Sequence, residues 1–348
     1  MDRVTGERRR PALERRDPPR LVSLVFPVFD EEEALPHLRA ALEEFLPTLG
    51  VPCEIVLVDD GSRDGSYDLI ARWAAEDPRV RGVSFSRNFG HQAALSAGLA
   101  LARGDATVLL DADLQDPLSV IPAMLERYRE GYDVVYGQRT TRAGETRFKR
   151  ATAWLFYRLM RRLVHRALPE DAGDFRLISR RCVDAVLRMN EVHRFLRGMF
   201  AWVGFRQVAV PYARAPRLHG ETKYPFWKMA RLAWNAALSF STFPIKLITA
   251  LGFLTAAGAL VYGGFAVVDK YFFHATVPGW TGLVVIVGLT GAAILVSLGV
   301  IGEYVGRIFE EVKQRPLFVV RETTFDDREL GAAPPLREAE RVDRTIGR

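Results

Sequence analysis

With 348 residues, 49% of them apolar, the chain is long enough for one large domain and a separate apolar part. Its two cysteines, Cys53 and Cys182, lie far apart without a CxxC, which implies neither a disulfide framework nor a cysteine metal site and fits two buried thiols in a reducing compartment. The net charge of +6 comes without a zinc-finger, helix-turn-helix or RNA-recognition signature, so a nucleic-acid partner is not expected.

Residues 1–20 are rich in Arg and Pro and lack an apolar core, which reads as a disordered lead and not a signal peptide. The first strand is expected over Leu21–Phe26, ending at Pro27. Helical spacing with an acidic first turn follows over Glu31–Leu46. A strand over 54–58, a Gly/Ser turn and a helix from Asp64 to about Glu76 come next. Val80–Phe85 reads as a third strand and His91–Ala102 as an Ala/Leu-rich helix. The strand 106–110, a helix opened by Pro117 and the strand Asp133–Tyr136 complete the pattern. Alternation of apolar strands with helices predicts an α/β fold on a parallel, doubly wound sheet. Arg147–Arg166 is helical and basic, Phe175–Met189 is mixed, and Gln207–Tyr212 reads as a strand.

The last third changes character. Phe226–Phe240 is amphipathic, with Lys228, Arg231 and Asn235 on one face, as an interfacial helix would be. Leu247–Val268 carries no charge, and a second uncharged stretch runs from about Thr281 to Gly302. Each is long enough to cross a bilayer, and their Gly and Ala residues allow close helix packing. Arg231 and Lys246 precede the first stretch and Arg307, Lys313 and Arg315 follow the second, while the link holds only Lys270. The positive-inside rule then places the large domain and the tail in the cytoplasm. Beside a membrane segment, the basic clusters at 8–20, 139–166 and 206–231 suit anionic lipid and phosphate.

Two carboxylate clusters stand at strand ends, where doubly wound sheets bind ligands. Asp111, Asp113 and Gln115 alternate; in an extended segment they would leave on one side and offer hard oxygens to Mg²⁺ or Mn²⁺ held against phosphates. Helix capping and turn chemistry is the alternative use of the same residues. Asp59-Asp60-Gly61-Ser62 can accept hydrogen bonds from a base or a ribose, or can serve as an Asx-turn and N-cap.

Pro27-Val-Phe-Asp-Glu31, Val58-Asp-Asp-Gly-Ser-Arg-Asp-Gly65 and Asp111-Ala-Asp-Leu-Gln-Asp-Pro117 resemble successive motifs of family 2 inverting glycosyltransferases with the GT-A fold. Gly137-Gln-Arg139, Gly173-Asp-Phe-Arg-Leu177 and Arg217-Leu-His-Gly-Glu-Thr-Lys-Tyr224 are similar to its polyprenyl-phosphate branch, bactoprenol glucosyltransferases above all. The resemblance covers about residues 21–320. It implies a nucleotide pocket lined by Pro27, Phe29, Glu31 and Asp59, with Asp60 beside them. It implies a metal and diphosphate site at Asp111, Asp113 and Gln115, and phosphate contacts from Arg139, Arg217 and Lys223, the last two toward a lipid phosphate. Asp174 stands at the family's candidate catalytic carboxylate, with Asp113. Asp30 stands where Asn is usual and Thr222 where Ser is common. Arg217 and Lys223 could also be surface charges, as most Arg and Lys are, though the match to the family pattern favours the phosphate role. His91 and His219 lie near motifs and receive no role.

The implied organisation is a lead over 1–20, a GT-A domain over 21–225 and an interface helix over 226–243. A transmembrane hairpin over 244–304 and a cytoplasmic tail over 305–348 follow. The implied reaction joins a nucleotide-sugar, UDP-glucose favoured, to undecaprenyl phosphate at the inner membrane, in a homo-oligomer such as a tetramer. Two other readings are a polysaccharide synthase, for which no QxxRW is found, and a nucleotide-sugar sensor without turnover.

Overall fold

A computed structural model describes residues 14–140, 172–213, 243–268, 272 and 280–326. Two compact units divide them: a sheet domain that includes residues from Pro316 onward, and a helical unit that ends at Arg315.

The sheet domain is built from strands β1 (Val22–Val28), β2 (Cys53–Asp59), β3 (Val80–Phe85), β4 (Ala106–Leu109), β5 (Val134–Arg139), β6 (Ala172–Ser179), β7 (Gln207–Tyr212) and β8 (Val320–Thr323). Its helices are α1 (Leu35–Phe45), α2 (Ser66–Glu76), α3 (His91–Leu101), α4 (Ile121–Arg129), α5 (Arg180–Leu187) and α6 (Leu196–Trp202). The strand order is β7-β5-β6-β4-β1-β2-β3-β8.

Alternation along the strands decides which helix packs on which face. Val22, Leu24, Phe26 and Val28 join Ile55, Leu57, Ala106 and Val108 in one core with Leu38 and Leu42 of α1, Ile70 and Trp73 of α2, and Ile121 and Met124 of α4. On the opposite face, Val25 and Val58 meet α3 at Gly98. Both faces are therefore covered, and the strands read as continuous apolar runs. Each fully buried Leu, Val or Phe contributes about 1.5–3 kcal/mol.

The sheet is mostly parallel but not wholly so. β1 pairs in parallel with β2 and β4, β2 with β3, and β5 with β7. The mixed segment 175–189 resolves into β6, antiparallel to both β4 and β5, followed by α5. The lead differs in part from expectation, and the tail adds a strand. Within the lead, the Arg16 backbone N–H donates to Arg129 O at 2.7 Å and its guanidinium reaches Asp133 Oδ1 at 2.7 Å. The charged tail contributes β8, antiparallel to β3, because an edge strand's unpaired N–H and C=O groups accept a further strand.

In the second unit, α7 (Phe243–Val268) and α8 (Trp280–Val312) contact one another. Within α8, Ile286–Val312 is the one helical stretch among the described residues long and apolar enough to cross a membrane; the apolar part of α7, Ile248–Tyr262, is shorter. The helices 147–166 and 226–240 expected from sequence lie outside the described residues.

Candidate active site

Parallel strands carry their ends to one edge, and there the motifs meet. The register pairs Val28 with Asp59 and Asp59 with Ser84, so the segments after β1, β2 and β3 emerge side by side. β6 runs the other way beside β4, with Leu109 opposite Arg176. Its first residues, including Asp174, therefore arrive at the same edge. So does Arg139 at the end of β5. A cleft of about 240 Å³ opens here, lined by Pro27, Phe29, Glu31, Asp60, Asn88, His91, Asp111 and Asp113, among others.

The turn after β1 is held in an unusual backbone state. Asp30 has φ 52°, in the left-handed region that Asn and Asp tolerate best among residues other than Gly. Its N–H donates to Ser62 Oγ at 2.9 Å and its Oδ1 accepts the Arg63 N–H at 2.8 Å. An Asn oxygen could accept that bond equally well, so Asp at this position preserves the turn.

Asp59 and Asp60 separate in role. Asp59 is fully buried; its two oxygens accept the Ser62 N–H at 3.0 Å and the Ser84 hydroxyl at 2.6 Å. It braces the turn from behind, and Asp60 is the member of the pair that lines the cleft. Burial raises the Asp60 pKa, offset in part by the N–H groups of Phe89 and Gly90, which donate to it. Gly61 between them and the next turn is required twice over: its φ is +71°, and a Cβ there would stand 2.4 Å from the Arg87 carbonyl carbon.

The metal triplet does not leave on one side. Asp111–Gln115 is a turn, with Leu114 at φ 54° and the Gln115 N–H donating to Asp113 Oδ1 at 3.1 Å. Asp111 and Asp113 both line the cleft. Gln115 is 3% exposed, stands outside that lining, and its amide nitrogen is buried without a hydrogen-bond partner. Burial pushes the Asp111 carboxyl up to about 6; His91 opposes this, and the nearby carboxylates of Asp174, Asp116 and Asp113 add to it. Crowded anions of this kind suit a cation. Among the described residues no three His, Cys, Asp or Glu side chains gather as a ready-made metal cage. Two hard carboxylates fit Mg²⁺ or Mn²⁺ of the sort that completes its shell with phosphate oxygens and water.

Beside the cleft, Arg197 from α6 grips Asp174 with both ends of its fork, Nε to Oδ1 at 2.8 Å and Nη2 to Oδ2 at 2.9 Å. Burial alone would raise the Asp174 pKa, but the Arg197 charge and hydrogen bonds hold it well below the ordinary carboxylate range. His91 Nε2, at the start of α3, lies 3.3 Å from Asp174 Oδ2 and 3.8 Å from Asp111 Oδ1. Burial works against charge on His91, yet the Asp174 hydrogen bond and the two carboxylates outweigh it and raise its pKa. Arg139 Nε donates to the Tyr212 hydroxyl at 3.3 Å, and that hydroxyl donates to Asp116. Arg217 and Lys223 lie outside the described residues.

His91 and Asn88 in the cleft, and Arg197 beside it, are polar residues to which the sequence assigns no role. Their signal was position alone: His91 and Asn88 follow a parallel strand's end. Arg197 has no comparable mark.

Residues 23–187 match the family model for Glycosyl transferase family 2. The glycosyltransferase YkcC of Bacillus subtilis is 44% identical over 86% of this chain and 93% of its own. The chain belongs to glycosyl transferase family 2. It is a glycosyltransferase with a GT-A-like α/β fold. Other family members align over nearly their whole length. The prophage bactoprenol glucosyl transferase homolog of Escherichia coli K12 is 40% identical over 86% of this chain and 98% of its own. The bactoprenol glucosyl transferase of Shigella phage SfII is 40% identical over 87% and 98%. Among solved structures, glucosyl-3-phosphoglycerate synthase of Mycobacterium tuberculosis with Mn²⁺, UDP and phosphoglyceric acid is 20% identical over 63% of this chain and 76% of that one, with a TM-score of 0.45. No residue assignment rests on that distant likeness.

Proposed function

We propose that this glycosyltransferase moves a sugar with inversion from a nucleotide-sugar, UDP-glucose favoured, to undecaprenyl phosphate at the cytoplasmic face of the inner membrane. The observation that carries the proposal is the 40% identity with the bactoprenol glucosyl transferase homolog across 98% of that relative. The length and exposure of α8 support a membrane-embedded acceptor. In this reading α7, 26 residues long, is a second span.

The cleft residues divide the work by chemistry. Pro27, Phe29 and Glu31 with Asp60 receive the nucleotide, and Asp59 fixes the turn behind them. Asp111 and Asp113 hold Mg²⁺ or Mn²⁺, which when bound neutralises charge on the departing diphosphate. Arg139, Arg217 and Lys223 supply phosphate contacts, for which a guanidinium fork is well suited. A polyprenyl phosphate is already anionic at neutral pH, so it needs little deprotonation. Asp174, locked by Arg197 and held far below neutral pKa, is a poor base and serves to orient His91 and the cleft edge. The main tasks left are holding two anions together and stabilising the leaving group.

The test is transfer by purified protein with Mg²⁺ or Mn²⁺, undecaprenyl phosphate and a panel of labelled UDP- and GDP-sugars. Label from UDP-glucose entering the organic phase is expected. Transfer from another donor would replace the sugar assignment, and nucleotide binding without transfer from any donor would favour a sensor.

A further inference from the structure

The tail segment from Pro316 does more than cap an open sheet edge. Its strand β8 pairs Phe85 with Val320, Ser84 with Glu322 and Val83 with Thr323. At one end, the Thr324 N–H donates to Gly82 O at 3.0 Å, and the Gly82 N–H donates to Thr324 Oγ1 at 2.8 Å. At the other end, the Ser86 N–H donates to Val319 O at 2.9 Å, just where β3 gives way to the loop 86–90. Phe318, 7% exposed, stacks on Phe85 with ring centres 4.7 Å apart and planes 12° apart. Phe85 in turn meets Phe89 edge-on at 5.8 Å. Phe89 and Gly90 present their N–H groups to Asp60, and the same loop brings Asn88, Gly90 and His91 to the cleft.

We infer that Phe318 is a positioning residue for the donor site: through Phe85 and Phe89 it sets the loop 86–90 that places Asn88, His91 and the Asp60 carboxylate in the cleft. The aromatic column runs from the tail to the loop without a gap, and aromatic pairs at these separations fix orientation as well as contributing contact. The two ends of β8 have different consequences. Loosening the Thr324 end disturbs β3 at Gly82, on the far side of the strand from the cleft. Loosening the Phe318 end frees the loop itself. The donor part of this inference rests on the proposed nucleotide-sugar reading; the loop part does not.

The experiment uses full-length protein carrying Phe318→Ala, Phe318→Leu or Thr324→Val. Amide hydrogen exchange is measured at Phe89 and Gly90, together with KM for UDP-glucose and the melting temperature. Phe318→Ala is expected to speed exchange at both amides at least tenfold and raise KM at least fivefold, with a smaller change in kcat. Phe318→Leu, which keeps bulk but loses the stacked ring, falls between it and wild type and serves if the Ala variant does not fold. Thr324→Val is expected to lower the melting temperature with exchange at the two amides and KM unchanged. Unchanged exchange at Phe89 and Gly90 in the Phe318 variants would overturn the inference, as would an equal KM rise in Thr324→Val. If wild-type protein fails to use UDP-glucose, the donor reading fails, and exchange alone decides the role of Phe318.

Discussion

Arg197 meets Asp174 at 2.8 and 2.9 Å, two parallel bonds that a lysine cannot reproduce. Arg197→Lys should therefore lower kcat about tenfold or more while the melting temperature barely moves; equal activity would remove Asp174 orientation from the mechanism. Asp113→Ala should cut turnover by about a hundredfold or more, the scale on which a preorganised charge contact matters. Activity of that variant at ordinary Mg²⁺ would remove Asp113 from the metal site. Asp30→Asn should leave activity and stability near wild type, because its acceptor oxygen and left-handed backbone are both retained. Single residues were partly legible in the sequence. Asp111, Asp113, Phe29 and Glu31 sit in motifs and all reach the cleft. The resemblance implies Asp59 in the nucleotide pocket, but the structure buries Asp59 and brings Asp60 to the cleft, because the turn after β2 decides which carboxylate faces it. Gln115 stands outside the cleft lining for a related reason: alternation holds only for extended backbone, and Leu114 is left-handed.

Helix α3 lies so close to the sheet that a Cβ on Gly98 would stand 2.2 Å from Val25 Cγ1. Alanine favours a helix interior by about 1 kcal/mol over glycine. Here the clash should win, and Gly98→Ala should lower stability by about 1–3 kcal/mol, the range for overpacked cores; a raised melting temperature would contradict it. Asp133 just before β5 links several elements, accepting bonds from Arg181 of α5, Ser179 of β6 and Arg16 of the lead. Burial would raise its pKa, but Arg181, Ser179 and Arg16 together lower it. Its stabilising effect is thus complete above about pH 4, the unfolded value, and is lost as pH falls through the lower folded value. Asp133→Asn should cost about 1–3 kcal/mol at pH 7, because the Arg181 guanidinium it leaves is well exposed, with the gap to wild type closing below about pH 4 in melts across pH. Most elements were readable because strand and helix periods differ. β6 and β8 were not, since their pairing partners lie far away in sequence.

Across the whole molecule, the sheet domain hides most of its large apolar residues and α8 shows many of its own. Leu289, Leu295, Val296 and Leu298 are each more than half exposed, a pattern that water does not tolerate over a surface of this length. The protein should therefore sediment with membranes and stay there through high-salt and alkaline washes, needing detergent for release. Release by salt alone would mean that the +6 charge, and not α8, holds it. The sequence by itself determined the α/β class, the strand-end carboxylates, the long apolar segments and the family resemblance, because these depend on local period and on motif spacing. Only the tertiary structure decided that Asp60 faces the cleft and Asp59 does not, that Arg197 and His91 surround Asp174, and that the tail closes the sheet beside β3. Those arrangements are set by contacts between residues as much as 242 positions apart, such as Gly82 with Thr324, whose partners carry no mark of one another along the chain.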